Sequence, residues 1–136
     1  MKIRGLSPKL PLTIDHADGH SLTKTHKEMV KQNLKMLILT IPGERIMDPK
    51  FGVGLKTFLF EQNDSATQGA ISSKIKEQLG IYMPYIEIVD LDFQNTESNS
   101  EISDNLLHIK LEYWVQPLEA LDVIDLTYDS NRGLIT

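Results

Sequence analysis

The spacing of apolar residues changes once along the chain. In the first half it is helical. Val30, Leu34, Leu37, Ile38 and Ile41 share a face of a helix expected from about Thr23. Thr25 and Glu28 have capping-box spacing near its start, and Pro42-Gly43 stops it. Leu55, Phe58 and Leu59 fall on one face of a short helix over 56–61, which Asn63-Asp64 breaks. Ser65 and Gln68 make a second capping box. Ile71, Ile75 and Leu79 follow at i, i+4, i+8, with Gly80 as the C′ residue and Pro84 beyond it.

From residue 85 the period drops to two. Tyr85 to Phe93 reads as a strand with Val89, Leu91 and Phe93 on one face. Leu106 to Gln116 is the clearest strand: Leu107, Ile109, Leu111, Tyr113 and Val115 alternate with His108, Lys110, Glu112 and Trp114. After Pro117, Leu121 to Tyr128 places Ile124, Leu126 and Tyr128 together. The polar run 94–105 is a loop. The first twenty residues are extended and turn-rich, with a short strand at Leu10–Ile14 that Pro11 restricts to an edge or a strand start. The pattern predicts an α+β fold in one domain, 1–136, with N-terminal helices on one face of a small, mostly antiparallel sheet. The C-terminal half forms most of that sheet, residues 1–20 are an extended segment, and 129–136 are a flexible tail.

Composition narrows the chemistry. A net charge of -5 argues against non-specific nucleic-acid binding, which needs clustered cations to displace counterions. The absence of cysteine removes disulfides, thiolate nucleophiles and cysteine metal sites. No run approaches the ~18 apolar residues of a membrane span, so no membrane partner is expected. Gly5, Pro8 and Pro11 interrupt the N-terminus, which has no signal-peptide hydrophobic run, and a soluble protein is expected.

The segment TIPGERIMDPKFGVGLKTFLFE, Thr40 to Glu61, gathers charges, turn residues and aromatics. It fails as a phosphate loop because Leu55 separates Gly54 from Lys56. It fails as a dinucleotide motif because Thr57 stands in place of the third glycine. No cofactor is implied. His16 and His20, with Asp15 and His26 nearby, have metal-binding residue types, but Asp18-Gly19 favours a solvated turn. Glu44, Asp48 and Glu61 supply carboxylates that could serve a glycosidase at the right separation; ion pairs and caps explain them equally well. No Gly-x-Ser-x-Gly elbow is present, and His108 lies on the polar face of its strand.

The ordered run Thr-Ile-Pro-Gly-Glu-Arg, Pro-Lys-Phe-Gly-Val-Gly-Leu, Leu-Phe-Glu resembles the baseplate wedge family of contractile phage tails. That family has relatives in type VI secretion baseplates and other contractile injection particles. The resemblance implies a structural, non-enzymatic protein of the virion tail baseplate or an equivalent particle, assembled in the host cytoplasm. Its implied partners are the tail sheath protein, other wedge proteins, and hub or tube-initiator proteins. It implies that the sheath initiates on this chain by β-strand augmentation.

The motif residues Pro42, Gly43, Glu44, Arg45, Pro49, Phe51, Gly52, Gly54, Leu55, Leu59, Phe60 and Glu61 are then a fold-determining turn and a partner contact. Glu44 and Arg45 are expected to pair with each other or with the returning chain. Phe51 is expected to turn inward, and Leu55, Leu59 and Phe60 to dock the short helix. Many secretion-system relatives carry Glu-Pro-Arg before the first sheet strand. Here Met83-Pro84-Tyr85 stands at that point, implying an apolar wedge contact or one made elsewhere. Ile124, Leu126 and Tyr128 mark one candidate sheath-accepting strand and Leu10–Ile14 another. The family has also carried a lysozyme-like label, so the alternative is a peptidoglycan-cleaving hydrolase using Glu44 or Glu61. A small-molecule binder with a pocket at His16, His20 and His26 is a weaker rival.

Overall fold

The computed structural model describes residues 5–62, 64–94, 106–129 and 133–134. The fold is α+β, with helices and antiparallel strands, as the hydrophobic pattern predicts. The chain divides into two compact units, Met1–Met36 and Leu37–Thr136.

In the first unit the expected strand at Leu10–Ile14 is replaced by two nested hairpins. β1 (Ser7–Pro8) pairs with β4 (Leu22–Thr23), and β2 (Ile14–Asp15) pairs with β3 (Gly19–His20) around a turn at 16–18 that places Gly19 at positive φ. Gln32 holds this arm from the first helix: its Nε2 donates to the Pro8 carbonyl at 2.9 Å and its Oε1 accepts the Leu10 N–H at 3.0 Å. Buried Thr23 donates to the Ser7 carbonyl. The N-terminal cleft lies among Lys9, Leu10, Pro11, Thr13, Asp15, Ser21, Leu22 and Lys24; none of the histidines lines it.

Helix α1 (His26–Leu39) starts at the predicted capping box. Thr25 Oγ1 accepts the Glu28 N–H at 3.2 Å, and Glu28 Oε2 accepts the Thr25 N–H at 3.4 Å. Val30, Leu34, Leu37 and Ile38 are all buried.

In the second unit, α2 (Leu55–Phe58) leads to α3 (Ser65–Tyr82). The N-cap of α3 is Asp64 rather than the expected Ser65: its carboxylate accepts the Thr67 N–H at 2.8 Å. Gly80 lies inside α3 rather than beyond its end, and Met83 closes the helix by donating its N–H to Leu79. Ile71, Ile75, Gln78 and Leu79 form the buried stripe of α3.

The sheet runs in the order β5 (Ile86–Gln94), β6 (Leu106–Val115), β7 (Ala120–Asp129), β8 (Gly133–Leu134), each antiparallel to its neighbour. On β6 the predicted alternation holds: Leu107, Ile109, Leu111, Tyr113 and Val115 are buried. On β5 it breaks. The register shifts between Ile88 and Asp90, so Val89 is the extra residue of a β-bulge and is 57% exposed. Ile86 before the bulge is buried, and Ile88, Leu91 and Phe93 are half-buried, so Val89 does not share a face with Leu91 and Phe93 as the simple period implied. Gly133 and Leu134 return along β7, pairing with Asp129 and Tyr128, where a frayed tail was expected. The polar loop 95–105 and Asn63 lie outside the described residues.

Candidate functional site

The motif segment begins where α1 ends. Pro42 and Gly43 occupy the centre of a β-turn, with Gly43 at φ 92° and the Glu44 N–H donating to the Ile41 carbonyl at 3.0 Å. Proline followed by a positive-φ glycine is the type II arrangement. The Glu44 carboxylate then folds back and accepts the Ile41 N–H at 3.1 Å. That N–H would have served Leu37 had the helix continued. The Leu37 carbonyl instead accepts the N–H of Val53, returning from the far side of the motif, at 3.0 Å. A helix end normally leaves such carbonyls orphaned. Here the motif satisfies both halves of the broken helical bond.

Between these points the loop is closed at its base by the Gly43 N–H donating to the Pro49 carbonyl at 2.8 Å. Arg45 lies over the Phe51 ring, 4.1 Å from its centroid, rather than pairing with Glu44. Phe51 meets Tyr82 edge to face at 4.9 Å, and the Tyr82 hydroxyl donates to Asp48 at 2.8 Å. That bond, with the nearby Asp48 charge and partial burial, pushes the Tyr82 hydroxyl pKa up. Phe51 is half-buried, and the ladder Arg45–Phe51–Tyr82–Asp48 ties the loop to the last turn of α3.

Gly52 and Gly54 are required by geometry. At Gly52 (φ 113°) a Cβ would collide with the Thr40 carbonyl oxygen. Its N–H donates to the Gln78 side chain at 2.9 Å. Gly54 (φ 71°) precedes α2, and a Cβ there would sit 2.8 Å from the Pro42 ring. Its carbonyl accepts from both the Thr57 N–H and hydroxyl, starting the helix. Leu55 is buried as expected and Leu59 half-buried, but Phe60 is 82% exposed and does not dock α2. Glu61 is exposed.

Sequence reasoning missed Gln78, Tyr82 and the tip residues Ile46 and Met47. Gln78 had a signal, being a polar residue inside the apolar stripe of α3. Ile46 and Met47 are 94% and 96% exposed.

Of Met83-Pro84-Tyr85, Met83 is buried, so its side chain faces inward rather than toward a partner. Pro84 is exposed and Tyr85 half-buried. Burial raises the Tyr85 pKa. These residues make the turn into β5, where the Ile86 N–H donates to the Met83 carbonyl at 3.0 Å.

The other candidate surface is the outer edge of β7. β8 covers it at Tyr128 and Asp129; among the described residues no strand lies along it from Ala120 to Thr127. The Val123 N–H donates to the neighbouring Asp122 carboxylate at 2.9 Å, so it points away from β6. Antiparallel ladders alternate, so Leu121, Val123, Asp125 and Thr127 direct their backbone groups outward while Asp122, Ile124 and Leu126 direct theirs to β6. The side chains of Ile124 and Leu126 are buried and Tyr128 is half-buried, so these three build the inner face of the strand. Tyr113, fully buried on β6, donates its hydroxyl to Asp122 at 3.2 Å. Burial and that carboxylate push the Tyr113 pKa well up.

Comparison with known proteins gives this geometry a context. No significant match is found among curated proteins. A chain in the cryo-EM structure of the anti-feeding prophage baseplate is 27% identical with a TM-score of 0.65, over 79% of this chain and 82% of that one. A crystal structure of a Geobacter sulfurreducens protein, provisionally described as a tail lysozyme, also has a TM-score of 0.65. It is 24% identical over 80% of this chain and 95% of that one, and shares the fold. The family model described as baseplate wedge protein gp25 matches residues 24–117. That span holds α1, the motif turn, α3 and the first two strands of the main sheet, and the chain belongs to the baseplate wedge protein gp25 family.

Proposed function

We propose that this chain is a structural component of a contractile-particle baseplate that joins wedge proteins and starts the tail sheath. An extended sheath segment adds as a strand along the outer edge of β7. The observation that carries this reading is that β8 pairs with β7 only at Tyr128 and Asp129, and among the described residues no other strand lies along that margin of β7. Backbone hydrogen bonds would supply affinity, and the alternating side chains would set register. The opposite edge, β5, is less suited. Its bulge at Val89 interrupts the ladder spacing, and Glu87, Asp90 and Asp92 are exposed along it. In the N-terminal arm, β2 is only two residues long and already paired with β3. The partners are the sheath protein and neighbouring wedge, hub or tube-initiator proteins, in the baseplate of a virion or equivalent particle assembled in the host cytoplasm.

Leu121→Pro tests the reading. Position 121 directs its N–H outward near the start of β7, so proline there removes an edge donor while sparing the β6–β7 ladder. Baseplates carrying the variant should assemble yet fail to nucleate sheath. Sheath growth at the wild-type rate on such baseplates would overturn the proposal.

A further inference from the structure

The loop closed by the Gly43–Pro49 hydrogen bond has a tip of two large apolar side chains, Ile46 and Met47, 94% and 96% exposed. Loop tips are ordinarily polar because nothing there repays the exposure of apolar surface. This tip is also held in place from both sides. Before it, Glu44 is clasped to the Ile41 N–H and Arg45 lies on Phe51. After it, Asp48 accepts the Tyr82 hydroxyl. A loop so anchored loses little conformational freedom on binding, which is the property of a preorganised contact.

The charges around the tip are unequal in availability. The Glu44 and Asp48 carboxylates each already accept a proton donor of this chain. Arg45, whose guanidinium stacks by its face on Phe51 and keeps its edge N–H groups for donation, and Lys50 are exposed residues on either side of the apolar pair. The geometry points to a docking knob: Ile46 and Met47 insert into an apolar socket, rimmed by carboxylates, on another protein of the baseplate. Two projecting side chains suit a concave site, and two flanking cations suit an acidic rim. This contact is separate from the β7 edge. It holds the chain in the baseplate, whereas the edge would act on the sheath.

Methionine oxidation by a brief peroxide pulse, read by peptide mass spectrometry, tests it on the free full-length chain and on intact purified particles. In the free chain Met47 should oxidise much faster than buried Met83. In particles Met47 should become as protected as Met83. Photo-methionine at position 47 should cross-link to apolar residues flanked by Asp or Glu on a different baseplate protein. The double variant Ile46→Ser, Met47→Ser should keep the wild-type melting curve and lose incorporation into particles by roughly tenfold, as expected for a central apolar anchor. Unchanged Met47 reactivity in particles would overturn the proposal whatever the variant does, and so would cross-linking to a second copy of this chain. Assembled baseplates without sheath would instead indicate failure at the β7 edge.

Discussion

The side-chain oxygen of Gln78 accepts the backbone N–H of Gly52 at 2.9 Å, from a residue only 2% exposed. This bond joins the centre of the motif to the buried stripe of α3. Replacing Gln78 with Leu puts an apolar side chain of similar size in its place and removes the acceptor. The stranded Gly52 N–H should cost about 1–3 kcal/mol, the penalty for an unsatisfied buried donor. Urea unfolding should show a lower midpoint with an unchanged slope. A midpoint equal to wild type would mean that the loop re-satisfies that donor.

Two glycines should respond to alanine in opposite directions. Gly52→Ala combines a positive-φ backbone with a collision at the Thr40 carbonyl, and should lose about 2–4 kcal/mol. Gly69 lies exposed inside α3 with open space where a Cβ would go, and Gly69→Ala should gain about 0.5–1 kcal/mol. Thermal melts of the two single variants, read beside wild type, give both signs.

The helix caps should make stability fall in acid. The backbone N–H of Lys24, with the hydroxyl and N–H of Thr25, holds the Glu28 pKa below its ordinary value. The backbone and side chain of Thr67 do the same for Asp64. A carboxylate with a lowered folded-state pKa stabilises fully above its unfolded pKa and loses that contribution as pH falls through the folded value. Glu28→Gln and Asp64→Asn should therefore lie below wild type at neutral pH and converge toward it at the acid end. Denaturation midpoints across that range would test this, and a gap constant with pH would contradict it.

Purified protein should leave peptidoglycan intact in a turbidity assay. The Glu44 carboxylate is occupied by the Ile41 N–H within a turn. Lysis that disappears in a folded Glu44→Gln variant would restore the hydrolase reading.

Much of this architecture was legible where local rules decide it. The Thr25–Glu28 box, the Ile71–Ile75–Leu79 stripe and the alternation of β6 need only neighbours in sequence, and each is present. The differences came both from local rules with rival solutions and from contacts with distant chain. Gly80 looked like a stop, but helical bonding continues through Ile81 and Tyr82 to the Met83 N–H. Asp64 took the cap from Ser65 because its side chain reaches Thr67. The N-terminal hairpins are two residues per strand and lean on Gln32, whose contacts no period reveals. In the motif, the Pro42-Gly43 turn was readable from residue types. The exposure of Phe60 and the Arg45–Phe51 stacking were not: Phe60 lies past the end of α2, off the Leu55–Phe58 face, and the stacking joins residues that no period relates.

The bulge at Val89 has a meaning beyond its own strand. Without that valine, Ile86 to Phe93 would alternate without a break, and β5 would present a straight, evenly spaced margin. Identical margins on identical subunits are invitations to zip together. A single spare residue and the exposed acids Glu87, Asp90 and Asp92 spoil that regular margin, so a second strand has neither the spacing nor the neutral surface it would need to pair there.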